Sequence, residues 1–253
     1  MISILLSCYK SNMTYLKEQI ESIMNQTEKD WELLIYDDGE NPLLKELVNE
    51  YNYDKRIILY DGIHLGYAKA YDYLLYFADG EYVCFCDHDD VWVSDKLEVE
   101  KRYLDEHPEV DCVFGWLKWF GEKEKLESFS ISDAQISKQL YFYQPIKHPT
   151  TMFRKDRFGA FDAPFDCAAD FWFWAKHKDR HYHLIEKVMV NYRRHAGEAT
   201  KDKTAFRQNS AKVIQKSISE RFNIIIPLDE CERLDRYSKK YNEEQKKMYE
   251  ALI

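Results

Sequence analysis

A dense group of carboxylates follows a strongly apolar run in the first half of the chain. Asp87, Asp89 and Asp90 come directly after residues 82–86, which have the composition of a buried strand. Carboxylates this close together repel one another unless a divalent cation or several backbone donors neutralise them. Oxygen-rich sites of this kind suit Mg²⁺ or Mn²⁺. The segment therefore predicts a metal site, and the alternative interpretation is a solvated acidic loop.

The elements around this segment would bring its carboxylates together with other polar groups. Short apolar runs predict four strands, and amphipathic helical stretches separate them. This alternation is typical of an α/β fold with a mostly parallel sheet and helices on both faces. Ligands of such sheets bind outside the carboxyl ends of the strands. The predicted strands are residues 2–6, 31–36, 56–60 and 81–86, and polar residues follow each of them, at 7–9, 37–39, 61–66 and 87–90.

The second half of the chain has a different pattern. A helix is predicted at residues 94–106 and a strand at 110–120. Aromatic residues and histidines then concentrate between residues 141 and 200, which we interpret as a smaller lobe that completes a pocket over the sheet edge. The C-terminal part reads as helices. The last of them, at residues 229–252, is highly charged and is expected to pack on a surface or a partner.

Composition limits the class of protein. The 253 residues are 45% hydrophobic, which is ample for a core, and the net charge of −9 at pH 7 argues against nucleic acid as a partner. The sequence shows neither a basic signal-peptide region nor an apolar stretch of membrane-span length, so a cytoplasmic location is expected. Contact of the C-terminal helices with a membrane surface or a partner domain is left open. The six cysteines show no paired spacing and are expected to be reduced.

Four motifs in register resemble those of family 2 glycosyltransferases with the GT-A fold. They are Ser7-Cys8-Tyr9-Lys10, Leu33-Leu34-Ile35-Tyr36-Asp37-Asp38-Gly39, His64-Leu65-Gly66 and Asp87-His88-Asp89-Asp90-Val91-Trp92. The last of these motifs, Asp-x-Asp-Asp-Val-Trp, resembles the motif of the family branch that includes rhamnosyltransferases. The resemblance implies a GT-A domain at residues 1–200, with a nucleotide-sugar-binding half at 1–108, an acceptor half at 109–200, and a helical extension at 201–253.

The resemblance also implies a nucleotide-sugar donor whose diphosphate is held by Mn²⁺ or Mg²⁺. Asp89 would be the main metal ligand, and Asp87 would contact either the ribose or a water molecule bound to the metal. The segment Val190-Asn191-Tyr192-Arg193-Arg194-His195 resembles the closing Tyr-Arg-x-His element of the family. In that element, basic residues and the histidine approach the diphosphate or the metal, so His195 would be a third ligand.

The ends of the first two strands are expected to hold the nucleotide base. A uracil or thymine ring needs a flat surface and an acceptor for its N3–H, which Tyr9 and Asp37 would supply, while Ser7 would bond a base carbonyl. Asp38 and Gly66 complete the predicted nucleotide-binding residues. The alternatives are a partly buried aromatic for Tyr9 and a plain turn for Asp37.

A catalytic base is predicted at the head of the aromatic segment. The family places an acidic residue there, often within Glu-Asp, whereas this chain has Ala169-Asp170, so Asp170 is the candidate. The alternative is that Asp170 only caps a helix. A second departure is Tyr71, which stands where relatives often carry an arginine, so that a cation near the donor is missing.

These residues together predict a metal-dependent, inverting glycosyltransferase. The donor would be a UDP- or dTDP-sugar of glucose or rhamnose type, and the acceptor a glycan or a lipid-linked carbohydrate. Two alternatives remain. One is a metal-dependent nucleotidyltransferase, which the absence of glycine from residues 7–12 disfavours. The other is a non-catalytic nucleotide-sugar-binding subunit.

Overall fold

A mixed sheet with helices on both faces forms the body of the protein in the computed structural model, which describes residues 1–39, 41–197 and 203–234. The strands are β1 (Ile2–Cys8), β2 (Trp31–Asp37), β3 (Ile57–Asp61), β4 (Tyr82–Cys86), β5 (Val91–Trp92), β6 (Cys112–Gly121), β7 (Lys125–Glu127), β8 (Met152–Arg154) and β9 (Tyr182–Arg194). The helices are α1 (Met13–Met24), α2 (Pro42–Asn49), α3 (Tyr67–Phe77), α4 (Lys96–Glu106), α5 (Asp133–Gln139), α6 (Ala169–Lys176), α7 (Lys203–Phe222) and α8 (Leu228–Leu234).

The sheet has a parallel half and a mixed half. Within the described ranges its strand order is β3-β2-β1-β4-β8-β6-β9-β5, and β7 pairs with β6. The first four strands in this order run parallel, so their carboxyl ends meet at one edge, as predicted. In the other half, β8 is antiparallel to both of its neighbours, whereas β9 runs parallel to β6. The predicted α/β class with a mostly parallel sheet is confirmed.

Alternation along the strands explains how the sheet buries both faces. In β4, Tyr82, Cys84 and Cys86 point into a core shared with α1, α2 and α4. Val83 and Phe85 point to the opposite face, into a core shared with α3, α5 and α6. Because side chains alternate along a strand, a continuous apolar run supplies both cores at once.

The predicted boundaries of the first four strands, of the helix at 94–106 and of the strand at 110–120 lie within two residues of the observed ones. The helix predicted at 229–252 begins as α8, and residues 235–253 lie outside the described part of the chain. None of the helices in the described ranges is long and apolar enough to cross a membrane. The division of the chain at residues 108 and 200 stays a prediction.

Helices α7 and α8 pack on the side of α6 that faces away from the sheet. Phe171 and Ala175 of α6 form a third apolar cluster with Ala211, Ile214 and Ile218 of α7. The same cluster includes residues of α8. The C-terminal helices therefore brace the helix that carries Asp170.

Five of the six cysteines are buried thiols within these cores. They are Cys8, Cys84, Cys86, Cys112 and Cys231, whereas Cys167 is half-buried. Burial raises the pKa of the Cys8 and Cys84 thiols to about 12. Because the thiolate is the reactive form, these side chains behave as small apolar groups.

Candidate active site

The acidic segment after β4 lies against the end of β9 at the carboxyl edge of the sheet. Asp89 Oδ2 is 2.8 Å from His195 Nε2, and about a fifth of each side chain is exposed. These residues are 106 positions apart in sequence, and the pairing of β5 with β9 brings them together. The structure thus places two of the three predicted metal ligands in direct contact.

The other carboxylates of this segment are crowded and short of neutralising donors. Burial, followed by the charges of Asp89 and Asp170, raises the pKa of Asp87 to about 8. Asp90 is fully buried, and burial with the charges of Asp87 and Asp89 raises its pKa well above the usual value. Its Oδ1 accepts a hydrogen bond of 2.9 Å from the Arg193 amide, whereas Oδ2 has no partner. The groups around the segment therefore do not offset the negative charge that it would carry if all of its carboxyl groups were ionised.

These residues fit a divalent cation. Asp89 and His195 place a carboxylate oxygen and an imidazole nitrogen at one partly exposed corner, and this donor set suits Mn²⁺. The unpartnered Asp90 oxygen is a further acceptor in the same segment. No group of three or more potential ligand side chains is preformed among residues 1–39, 41–197 and 203–234. Two protein ligands agree with a cation that is completed by substrate phosphates. The outer role predicted for Asp87 stays a prediction.

The predicted base-binding residues lie at the ends of β1 and β2. The Tyr9 side chain is 43% exposed, and its ring stacks on His64 with centroids 4.4 Å apart and an interplanar angle of 19°. Asp37 is buried, and its carboxylate accepts hydrogen bonds from the amides of Gly39 at 3.0 Å and Asn41 at 2.7 Å. Asp37 thus organises the turn after β2, and its contact with a base stays a prediction. Ser7 is half-buried near the end of β1.

Asp38 and Gly66 form one structural unit at the start of α3. Asp38 accepts hydrogen bonds from the amides of Leu65 at 2.5 Å and Gly66 at 3.1 Å. Gly66 has a φ of +86°, and a Cβ there would lie 2.7 Å from Asp166 Oδ2, so only glycine fits without strain. The unit links β2, α3 and the smaller lobe at the rim of the site.

Asp170 lies in the first turn of α6, one residue beyond the helix start. Its Oδ1 accepts from the Phe171 amide at 2.8 Å, and its Oδ2 accepts from Gln144 Nε2 at 3.0 Å. The cap position belongs to Ala168, which has a left-handed φ of +67°, so Asp170 is not the N-cap. Burial raises the pKa of Asp170, and its charge in turn helps to raise the pKa of Asp87. The candidate base and the acidic segment therefore share one site.

Tyr71, the position at which the family resemblance led us to expect an arginine, is buried. The side chain is 1% exposed, and its hydroxyl donates to the Cys86 carbonyl at 2.8 Å. It supports the end of β4 just before the acidic segment. This residue therefore has a structural role in the described part of the chain.

Two residues near the carboxylates were not found from the sequence. Tyr67 begins α3, and its pKa is raised well above the usual value, first by burial and then by the charges of Tyr71, Asp87 and Asp170. Its position directly after Gly66 was a usable signal. Gln144 lies in a loop, 26 positions before Asp170 in sequence, and the fold brings the two side chains into contact. No local sequence pattern could have identified it.

Comparison with known proteins identifies the family. The model of Glycosyl transferase family 2 matches residues 3–173, which is more than half of the chain. The chain belongs to glycosyltransferase family 2. It is a glycosyltransferase that uses a nucleotide-sugar donor. The family match favours this function over the alternative of a nucleotidyltransferase. Membership of the rhamnosyltransferase branch stays a prediction.

Related sequences agree with the family assignment. An uncharacterized glycosyltransferase of Methanocaldococcus jannaschii is 28% identical over 204 residues, which are 76% of this chain and 70% of the relative. The Escherichia coli UDP-Glc:alpha-D-GlcNAc-diphosphoundecaprenol beta-1,3-glucosyltransferase WfgD is 31% identical over 100 residues, 40% of this chain and 39% of WfgD. The chain also matches a quarter of the length of an uncharacterized glycosyltransferase of Rickettsia felis, at 29% identity over 60% of this chain.

Solved structures show the same GT-A fold. Residues 1–349 of Staphylococcus aureus TarS, in complex with UDP-GlcNAc, superpose with a TM-score of 0.66 at 16% identity, covering 99% of this chain and 79% of TarS. The mannosyltransferase PcManGT of Pyrobaculum calidifontis, in complex with GDP-Man and Mn²⁺, superposes with a TM-score of 0.61 at 17% identity. That match covers 99% of this chain and 73% of PcManGT. The predicted fold is confirmed.

Proposed function

We propose that this protein is an inverting glycosyltransferase that moves a sugar from a UDP- or dTDP-sugar, with the help of Mn²⁺ or Mg²⁺, to a glycan or a lipid-linked acceptor. The observation that carries the proposal is the 2.8 Å contact between Asp89 and His195, with Asp170 in the same site. The contact supplies a place for the cation and diphosphate. Asp170 supplies a carboxylate for the acceptor.

The donor end of the site consists of the residues at the ends of β1 and β2. Tyr9 offers an exposed ring for stacking, and Ser7 and Asp37 lie within the same two strand ends. The solved complex of TarS contains UDP-GlcNAc, and WfgD is named for a UDP-Glc donor. Both support UDP as the nucleotide. Glucose- and rhamnose-type sugars are the donor classes that we propose.

Asp89 and His195 would hold the cation, and Asp87 would contact the ribose. The bound cation would neutralise charge on the departing diphosphate. The Mn²⁺ in the PcManGT complex supports this choice of cofactor. A cation held by Asp89 and His195 would also offset the repulsion between the carboxylates of the site and the negatively charged donor.

Asp170 would act as the general base. Its carboxylate removes the proton of the acceptor hydroxyl, the hydroxyl oxygen forms a bond to the anomeric carbon, and the bond from that carbon to the diphosphate oxygen breaks. The leaving nucleoside diphosphate keeps the electron pair. A single displacement of this kind inverts the anomeric centre. Burial raises the pKa of Asp170, which makes the carboxylate a stronger base.

The acceptor class rests on the related sequences. WfgD is named for a diphosphoundecaprenol-linked acceptor, and the match to WfgD covers 40% of this chain. We therefore include lipid-linked carbohydrates beside free glycans. Such an acceptor would bring the protein to a membrane surface from the cytoplasm.

A thermal-shift screen tests the donor and metal assignments together. UDP, dTDP, GDP and their common sugar conjugates would each be added with Mn²⁺, Mg²⁺ or EDTA, because ligand binding raises the unfolding temperature by mass action. We expect stabilisation by a uracil or thymine nucleotide that increases with Mn²⁺. The Asp89→Ala variant should lose the metal-dependent part and keep the part seen in EDTA. The absence of stabilisation by every nucleotide would contradict the proposal.

A further inference from the structure

Arg193 of β9 is held inside the protein, although it belongs to the element expected to approach the diphosphate. Its side chain is 10% exposed. The guanidinium lies 4.2 Å from the ring centroid of Tyr15 and 4.4 Å from that of Phe120, and it donates to the Glu18 carboxylate. An arginine placed between two rings and a carboxylate has its charge satisfied by protein. It is poorly placed to serve as a free cation for a ligand.

The remaining contacts of Arg193 are with the acidic segment. Its amide donates to Asp90 Oδ1 at 2.9 Å, and its Nε donates to the Asp89 carbonyl at 2.8 Å. In the ladder of β5 and β9, Val91 pairs with Asn191. Two residues further along the same antiparallel register, Asp89 lies opposite Arg193. Arg193 thus continues the strand pairing into the segment that carries the proposed metal ligand.

Helix α1 anchors the same segment on both sides. Gln19 Nε2 donates to Cys86 Sγ at 2.9 Å, and Ser22 Oγ accepts from the Trp92 amide at 3.1 Å. Glu18 binds the guanidinium of Arg193, and the Tyr15 ring lies 5.4 Å from that of His195. Residues 15, 18, 19 and 22 share one face of a helix. This face contacts both ends of the acidic segment and the strand that pairs with it.

We propose that Arg193, anchored by Glu18 on α1, is a positioning residue that holds Asp89 beside His195 and thereby sets the affinity for the divalent cation. The inference rests on the proposed function, because it requires the cation at Asp89 and His195. The Nε of Arg193 holds the backbone of the segment at the Asp89 carbonyl, and Asp90 Oδ2 has no partner that would restrain the segment in its place. Lysine cannot replace the planar fork, which bonds Asp89 and Glu18 at the same time.

The test measures binding of Mn²⁺ rather than turnover. Free Mn²⁺ would be followed by electron paramagnetic resonance in the presence of saturating UDP, and UDP affinity would be measured separately in EDTA by calorimetry. We expect Arg193→Lys to weaken Mn²⁺ binding by about 10- to 100-fold, the usual effect of removing a group that orients a metal ligand. Affinity for UDP in EDTA should change less than about twofold, because the base end is untouched.

Two further variants keep the result interpretable. Glu18→Gln leaves Arg193 in place but removes its charged anchor at a half-exposed position, so it should fold and weaken Mn²⁺ binding by a smaller factor. Arg56→Lys is the matched control, because Arg56 also stacks on a ring, that of Trp31 at 3.7 Å, and pairs with Asp54 far from the site. Arg56→Lys should leave Mn²⁺ binding unchanged.

The outcomes separate this inference from the proposed function. Tight Mn²⁺ binding by the original protein with no change in Arg193→Lys or Glu18→Gln would overturn the role of Arg193 and leave the metal site intact. An equal loss in Arg56→Lys would also overturn it, because the effect would then be one of general stability. No Mn²⁺ binding by the original protein would overturn the metal site and, with it, this inference.

Discussion

The carboxylates of the site differ in their surroundings, and those surroundings divide the proposed roles. Asp89 is partly exposed and meets His195, whereas Asp90 is fully buried and faces β9. Asp170 is held by Gln144 and by the Phe171 amide, with a raised pKa from burial. A cation needs an accessible ligand, and a general base needs a fixed carboxylate of raised basicity. Asp89 and Asp170 meet these two requirements.

Replacement of Asp170 by asparagine should remove the base and leave the donor site intact. The Asp170→Asn side chain keeps its size and one acceptor oxygen, which can serve either Gln144 or the Phe171 amide. Because neither partner lies at the predicted donor end, we expect affinity for the nucleotide-sugar to be unchanged. The turnover number should fall by about 10²- to 10⁴-fold, the usual contribution of a general base. Steady-state transfer and calorimetry of the donor measure the two effects. Asp162→Asn, in the same lobe but 71% exposed, is the control, and near-normal turnover in Asp170→Asn would remove this residue from the role.

At the scale of elements, the sequence predicts the parallel half of the sheet well because its signals are local. Each strand of that half is an apolar run that ends in polar residues, so Asp87, Asp89 and Asp38 could be found by position alone. The mixed half depends on long-range pairing: β8 has three residues, and its place beside β4 is set by contacts about 70 positions away. Arg193 lies 175 positions from Glu18, so its role has no local signal.

Within helix α4, a buried ion pair supports the segment that follows β4. Lys96 and Glu100 are both fully buried with 2.7 Å between Nζ and Oε2, and Lys96 Nζ lies 4.2 Å from the centroid of Trp92. Removal of one partner leaves an uncompensated buried charge. Lys96→Met should therefore lower the free energy of unfolding by about 3–5 kcal/mol, measured by urea denaturation. The double variant Lys96→Met with Glu100→Leu should recover most of this loss.

A matched exposed pair provides the control for this prediction. Lys216 and Glu220 have the same spacing on α7, and Lys216 Nζ also lies over a ring, that of Trp172 at 4.8 Å, but both side chains are 53% exposed. Lys216→Met should cost no more than about 1 kcal/mol, because water screens the pair. If Lys96→Met and Lys216→Met lowered the free energy of unfolding equally, burial would not account for the effect of the α4 pair.

At the scale of the whole molecule, a cluster of aromatic rings joins the sheet to the smaller lobe, and His148 lies inside it. The imidazole is 4% exposed and stacks on Phe85 of β4, with centroids 4.3 Å apart. It also lies 5.8 Å from the ring of Trp174 in α6, and neither ring nitrogen has a hydrogen-bond partner. Burial lowers the pKa of His148 to about 3. The folded protein therefore keeps this histidine neutral.

This buried histidine should make the fold sensitive to acid. The unfolded chain takes up a proton near pH 6.5, whereas the folded chain does so near pH 3, so the contribution to stability is complete above pH 6.5 and falls as the pH is lowered. Between pH 7.5 and 5 we expect a loss of about 2 kcal/mol from this group. His148→Phe should fit the aromatic cluster. Its free energy of unfolding, measured by urea denaturation at the two pH values, should fall by about 2 kcal/mol less than that of the original protein. Parallel pH dependence in the two proteins would contradict the assignment.

Because most of the thiols are buried, their reaction with an alkylating reagent would report which part of the protein has unfolded. Cys8, Cys84, Cys86 and Cys112 lie in the central sheet, Cys231 lies in α8, and Cys167 is half-buried beside α6. A thiol-alkylating reagent should therefore modify Cys167 in the native state, Cys231 when α7 and α8 detach, and the four others only when the sheet separates. The number of added groups, read by mass spectrometry over time, would distinguish local detachment from global unfolding without any engineered label.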